Sequence, residues 1–255
     1  MQRRIMDLVN RIKRSLAQRG FFGTVRMCWV SVLPGAWLRE ARRRRIDAEF
    51  DQLYRVDTGG TLRPDRDEVV GENWSFGTHY AAVEPSAFVE ALNRIPICHS
   101  DFIFMDFGSG KGRSLLLASE FPFKKIVGVE FCPELNRVAR QNVLRHPTAA
   151  RRNGDIEILD ADATKVTIPD EPLVLFLNNP FAAPLMATVV KNVADSFRRC
   201  PRRIVVIYSW PFHADLWEAA GFLKRVYSSP AIFDTEPDTV SQPILRDKRT
   251  NRVPA

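Results

Sequence analysis

Residues 102–130 read FIFMDFGSGKGRSLLLASEFPFKKIVGVE, and their order decides the architecture. An apolar run of strand length, Phe102 to Phe107, leads into Gly108, Gly110 and Gly112. A leucine-rich stretch from Ser114 to Ser119 has helical character, and after Pro122 a second β-type run from Lys125 to Val129 ends on the acid Glu130. Strand, glycine turn, helix and strand make half of a nucleotide-binding α/β unit. The glycines let the backbone approach a ligand with no Cβ between them. A carboxylate that closes the second strand stands where a ribose diol is held.

The turn departs from the dinucleotide fingerprint G-x-G-x-x-G. It reads D-x-G-x-G-x-G from Asp106 to Gly112, with Ser109 inside it and Arg113 where the dinucleotide pattern has its third glycine. Outward from it the elements alternate. Upstream, Glu84-Pro85 opens a short helix with Phe88, Ala91, Leu92 and Ile95 on one face, Pro85 suiting its first turn. Downstream, a helix runs from Pro133 to about His146, and Ile156 to Leu159 is a third strand followed by Asp160-Ala-Asp162-Ala163. The apolar run Leu173 to Leu177 is a fourth, buried parallel strand that passes straight into Asn178-Asn179-Pro180-Phe181. A helix over Ala183 to Arg199, a strand over Arg203 to Tyr208, a helix opening near His213 and a β-type run at Leu223 to Tyr227 complete the pattern, and a last strand is expected at Thr239 to Leu245. The fold class is α/β, a doubly wound and mostly parallel sheet of seven strands.

The chain has 255 residues and a net charge of +7, and twelve of its basic residues against two acidic ones lie within the first 45. The basic character therefore belongs to an N-terminal extension. Residues 1–20 have the spacing of a basic amphipathic helix, 21–38 are apolar and aromatic but broken by Arg26 and Pro34, and Arg42 to Arg45 form a basic block. Helical spacing resumes from Asp47 to Thr58 and stops at Gly59-Gly60. The expected organisation is a basic helical extension over 1–60, a linker over 61–79, the α/β domain over 80–245 and a polar tail over 246–255. The extension has three readings: a helix covering its own domain, a peripheral membrane contact through residues 1–45, and an arginine contact to nucleic acid. Cys28, Cys98, Cys132 and Cys200 are scattered, which suggests neither a disulfide framework nor a metal site and makes a reducing cytoplasm the default location.

From Tyr80 to Tyr227 the chain resembles the class I S-adenosylmethionine (SAM)-dependent methyltransferases. The resemblance lies in the order of elements, the Asp106–Gly112 turn as motif I, Glu130 after the second strand, Asp162 after the third and Asn-Pro-Phe after the fourth. Within that group DFGSGKGRSLLLAS is similar to bacterial stand-alone members of unassigned substrate, and more loosely to seven-strand protein-lysine methyltransferases. The resemblance implies that Asp106, Gly108, Ser109, Gly110 and Gly112 border the methionine and sugar of SAM, and that Glu130 holds the ribose hydroxyls. It also implies that Asp162, or failing it Asp160, receives the adenine amino group, while Tyr80 and Glu84 help to close the pocket. Asn178, Asn179, Pro180 and Phe181 match three of four positions of the Asn/Asp-Pro-Pro-Tyr/Phe motif of amino-methylating members. In those, carbonyl oxygens accept the target N–H and the aromatic ring packs on the target. The reaction implied is methyl transfer to a nitrogen without a metal, with a protein side chain the favoured acceptor. RNA or DNA bases, small molecules and lipid head groups are alternatives, and a SAM-binding scaffold without turnover is the reading from another class.

Overall fold

The computed structural model describes residues 36–62, 80–151 and 155–236. Its large sheet is built from β3 (Ile103–Phe107), β4 (Lys125–Glu130), β5 (Ile156–Asp160), β6 (Leu173–Asn178), β7 (Ile204–Ser209), β8 (Lys224–Ser228) and β9 (Ala231–Asp234), in the order β5-β4-β3-β6-β7-β9-β8. The first five positions are parallel, and β9 enters antiparallel between β7 and β8. Counted within this sheet alone, the order is 3-2-1-4-5-7-6.

Every residue of β3 is buried, and so are the first five of β6 and of β7, because helices cover both faces. The period of two divides them between two cores. Phe104, Ile126, Val174, Phe176 and Ile207 pack on one face with α1 (Ala36–Tyr54), α2 (Pro85–Asn93), α3 (Arg113–Ala118) and α4 (Pro133–Arg145). Ile103, Met105, Phe107, Val127, Leu175 and Val206 pack on the other with α6 (Ala183–Arg199) and α7 (Ala214–Ala219). The short α5 (Pro147–Arg151) follows α4, and a small antiparallel ladder pairs β1 (Thr61–Leu62) with β2 (Tyr80–Ala81).

The last strand among the described residues is β9 at Ala231–Asp234, which the sequence pattern did not indicate; the strand expected at Thr239 to Leu245 lies outside the described residues, as do 1–35, 63–79 and the 246–255 tail. β9 carries no alternation because all four of its residues are buried, so no period announces it. Within the extension expected to be helical over 1–60, the described helix runs from Ala36 to Tyr54 and takes in the arginine block. Arg44 with Glu40 and Arg45 with Glu49, four residues apart, support a stretch that has no apolar stripe.

Candidate active site

The glycine turn connects the C-terminal end of β3 to α3 at the centre of the sheet. Gly108 N and Ser109 N both donate to Val129 O, which draws the turn onto the end of β4. Two of its glycines are required by what lies against them. Gly108 has φ +81°, and a Cβ there would meet the Pro180 Cβ at 2.5 Å. Gly110 has φ +55°, and a Cβ there would meet the Tyr80 ring at 2.2 Å. The turn is thus held between the loop after β6 and the residue that opens β2.

Glu130 ends β4 beneath the turn. Its Oε2 accepts from Gly110 N at 3.0 Å and its Oε1 from Cys132 N at 3.0 Å. Burial pushes its carboxyl up to about 7 against the opposing pull of the Cys132, Gly110 and Phe131 backbone N–H groups. Asp106, also buried, is pushed up to about 7 by desolvation and secondarily by the charge of Glu130, although the Ser114 hydroxyl donates to its Oδ2. Asp106 Oδ1, Ser109 Oγ and Asn178 Oδ1 are buried and have no hydrogen-bond partner among the described residues. All three residues line one small cavity, walled by Tyr80, Val83 and Arg113.

At the end of β6, Asn178 Nδ2 donates to Ala81 O at 2.9 Å, which fixes the orientation of the amide. Asn179 takes φ +49° and accepts from the Tyr208 hydroxyl at 3.2 Å. Pro180 follows against Gly108. Phe181, expected to pack its ring on the acceptor, is buried instead in the core that contains Phe107, Leu177, Leu185 and Met186. The left-handed turn at Asn179 separates the end of the strand from this ring.

The remaining expected residues divide. Tyr80 lies on the turn and donates its hydroxyl to Thr58 O. Glu84 is the N-cap residue of α2 and faces outward, accepting from Arg42 Nη2 at 3.0 Å. Asp162 is buried just past β5 and accepts from Thr164 N and Oγ1. Asp160 is engaged on both oxygens, by Asn136 Nδ2 at 2.7 Å and by Arg140 Nη2 at 2.6 Å.

Sequence reasoning missed the support behind the turn. Arg113, fully buried at the start of α3, donates from Nη1 to Asp47 Oδ1 at 2.5 Å and from Nε to Thr58 Oγ1 at 2.7 Å. Asp51 accepts from Thr58 N and Gly59 N, and Lys111 Nζ reaches Asp57 at 2.7 Å and Gly59 O at 3.0 Å. Asn142 on α4 bridges Asp57 O and Lys111 O. The one local signal was an arginine opening an otherwise apolar helix.

A parallel sheet in this order, its glycine turn after the central strand, an acid closing the neighbouring strand and an antiparallel hairpin at the far edge settle the fold. It is the class I SAM-dependent methyltransferase fold. No protein-family profile matches the chain, and no curated protein matches it. Solved structures similar to part of it include the 23S rRNA methyltransferase ErmE, with 16% identity, a TM-score of 0.38, and 51% of this chain and 48% of that chain covered. A predicted N6-adenine-specific DNA methylase from Listeria monocytogenes gives 14%, 0.45, 60% and 51%. A SAM-dependent methyltransferase from Thiobacillus denitrificans, in complex with S-adenosyl-L-homocysteine, gives 16%, 0.36, 48% and 47%. The match spans about half the length of each of these proteins.

Proposed function

We propose that this chain transfers a methyl group from SAM to a nitrogen, with a protein side chain as acceptor, in the cytoplasm. The groups at the turn suit a cationic cofactor without phosphate. Both cations nearest the glycines are already neutralised, Lys111 by Asp57 and Arg113 by Asp47, while the carboxylates of Asp106 and Glu130 face the turn. A pyrophosphate would meet net negative charge there; an ammonium and a sulfonium would meet their counter-charge. Asp106 Oδ1 would take the methionine ammonium and Glu130 the ribose hydroxyls. Asp162, buried just past β5, is assigned to the adenine amino group, with Asp160 as the second choice.

SAM supplies the methyl: the carbon–sulfur bond breaks with its electron pair kept on sulfur, a nitrogen–carbon bond forms, and the nitrogen releases one proton to solvent. The observation that carries nitrogen as the acceptor is Asn178. Its Nδ2 is held by Ala81 O, its Oδ1 has no partner among the described residues, and Asn178 lines the cavity, where an amide oxygen would accept an N–H and orient the lone pair. No strong base is needed in such a site, and alignment carries the rate.

Labelled SAM incubated with cell extract tests this. The expected result is label in the protease-sensitive fraction, lowered on the order of 100-fold by Asn178→Ala while SAM affinity by calorimetry changes only a few-fold. Label that only nuclease removes would move the acceptor to nucleic acid, and label extracted with lipid would move it to a membrane headgroup. SAM binding with no transfer to any fraction would make the chain a scaffold.

A further inference from the structure

Ser209, the last residue of β7, is the register partner of Asn178, so the residues that follow them, Trp210 and Asn179, leave adjacent parallel strands side by side. Both leave left-handed, at φ +52° and φ +49°. Asparagine tolerates that conformation; for tryptophan it is an outlier that glycine would relieve. The indole nevertheless gains no burial in return, being 71% exposed, and Phe212 two residues on is 46% exposed. Strain and an exposed large ring together, in the turn beside the one that carries Asn179, mark a binding position.

Within five residues of Trp210 along the chain, Asp215 is the one carboxylate and no lysine or arginine occurs. Asp215, exposed in the first turn of α7, is near enough to contribute to the raised pKa of the Tyr208 hydroxyl, behind the dominant effect of burial. That hydroxyl is the one bonded to Asn179. An indole face with a carboxylate close by attracts an ammonium and repels a phosphate backbone.

We propose that Trp210 is the residue that holds the acceptor, its indole face receiving the ammonium of a lysine side chain from a substrate protein, with Asp215 supplying counter-charge. The proposal rests on the methyl-transfer reading for its purpose, but it concerns binding and is tested apart from turnover. Lysine is held as the cation on the ring and presented to Asn178 once it has lost a proton to solvent.

The test is nuclear magnetic resonance of the full chain with 15N-labelled indoles. The sequence has five tryptophans, and Trp210→Phe assigns the signal in question. The probes are N-acetyl-lysine methylamide, N-acetyl-norleucine methylamide and adenosine. The expected result is a shift of the Trp210 indole with millimolar lysine amide, absent with norleucine amide and reduced several-fold in Asp215→Asn. No shift with lysine amide, or an equal shift with adenosine, would overturn the proposal. In the labelled-methyl assay Trp210→Ala should raise KM about tenfold and Trp210→Phe restore most of it, with SAM affinity unchanged. A lysine-dependent shift in a chain that fails to bind SAM would sustain this clasp and overturn the methyltransferase reading.

Discussion

Single residues decide whether the turn can be built and when it can bind. Gly110→Ala forces a side chain into a left-handed position, at about 1–2 kcal/mol, and drives its Cβ into the Tyr80 ring, at about 1–3 kcal/mol more. Urea unfolding measures the sum. Adding Tyr80→Ala should recover the overlap and not the backbone cost, so the two changes together should be about 1 kcal/mol less damaging than their separate effects predict. The carboxyls of Asp106 and Glu130 set a pH dependence. Unfolded, they ionise near about 4; folded, both are pushed up to about 7. Between those values the unfolded chain holds fewer protons, so ligand-free stability should fall as pH rises through this window and level off above 7. SAM affinity should move oppositely, rising from about pH 6 to about pH 8 as the carboxylates form, with the slope reduced in Asp106→Asn. Calorimetry across that range checks both signs. This scale was well legible in the sequence where the chemistry is local. The glycine turn, Glu130 at the end of β4 and Asn178 at the end of β6 sit in short stretches whose places in the fold follow from local residue types. Phe181 was legible as a residue and not as a place, because the turn that buries it depends on the backbone angle of Asn179.

At the level of elements, α1 belongs to the turn as much as to the extension. Asp47 and Asp51 on the helix and Thr58 just beyond it surround the Arg113 guanidinium, which also lies over the Phe50 ring at 4.9 Å. Arg113→Met keeps the bulk but leaves Asp47 buried without its cation, and should cost about 3–5 kcal/mol, seen as a lower urea midpoint with unchanged slope. Asp47→Asn with Arg113→Met should recover part of that loss, since no charge is then left unpaired. None of this was readable in advance, for a physical reason: α1 has no apolar stripe, and its decisive partner is 66 residues away. Elements buried on one face, such as α2, α4 and α6, were legible with ends within a residue or two, because their periodicity records a single buried side.

Across the whole molecule, the parallel half of the sheet is closed by a strand that arrives last in the described chain. β9 covers the edge of β7, whose residues from Ile204 to Tyr208 are all buried, and Asp234 at its end binds Arg203 Nη2 at 2.8 Å. A chain stopped at Ser228 would leave an apolar strand edge unpaired and should accumulate as aggregate; sedimentation of the expressed protein checks it. Asp234→Ala in the full chain keeps β9, loses the Arg203 ion pair and the bond from Glu236 N, and should stay in solution, destabilised by about 3 kcal/mol. The mostly parallel seven-stranded sheet was legible from the alternation of elements, but not the position of the seventh strand, which has four residues and no exposed face to betray a period. The Arg113 clasp carries one consequence for how the protein comes into being. On the ribosome, α1 emerges with Asp47, which the fold buries, and the guanidinium that pairs with it there is not added until residue 113, a wait of roughly 3–13 s at about 5–20 residues per second. Through that interval the nascent helix has nothing to dock on, and the upstream segment and the cofactor turn become structured in the same event.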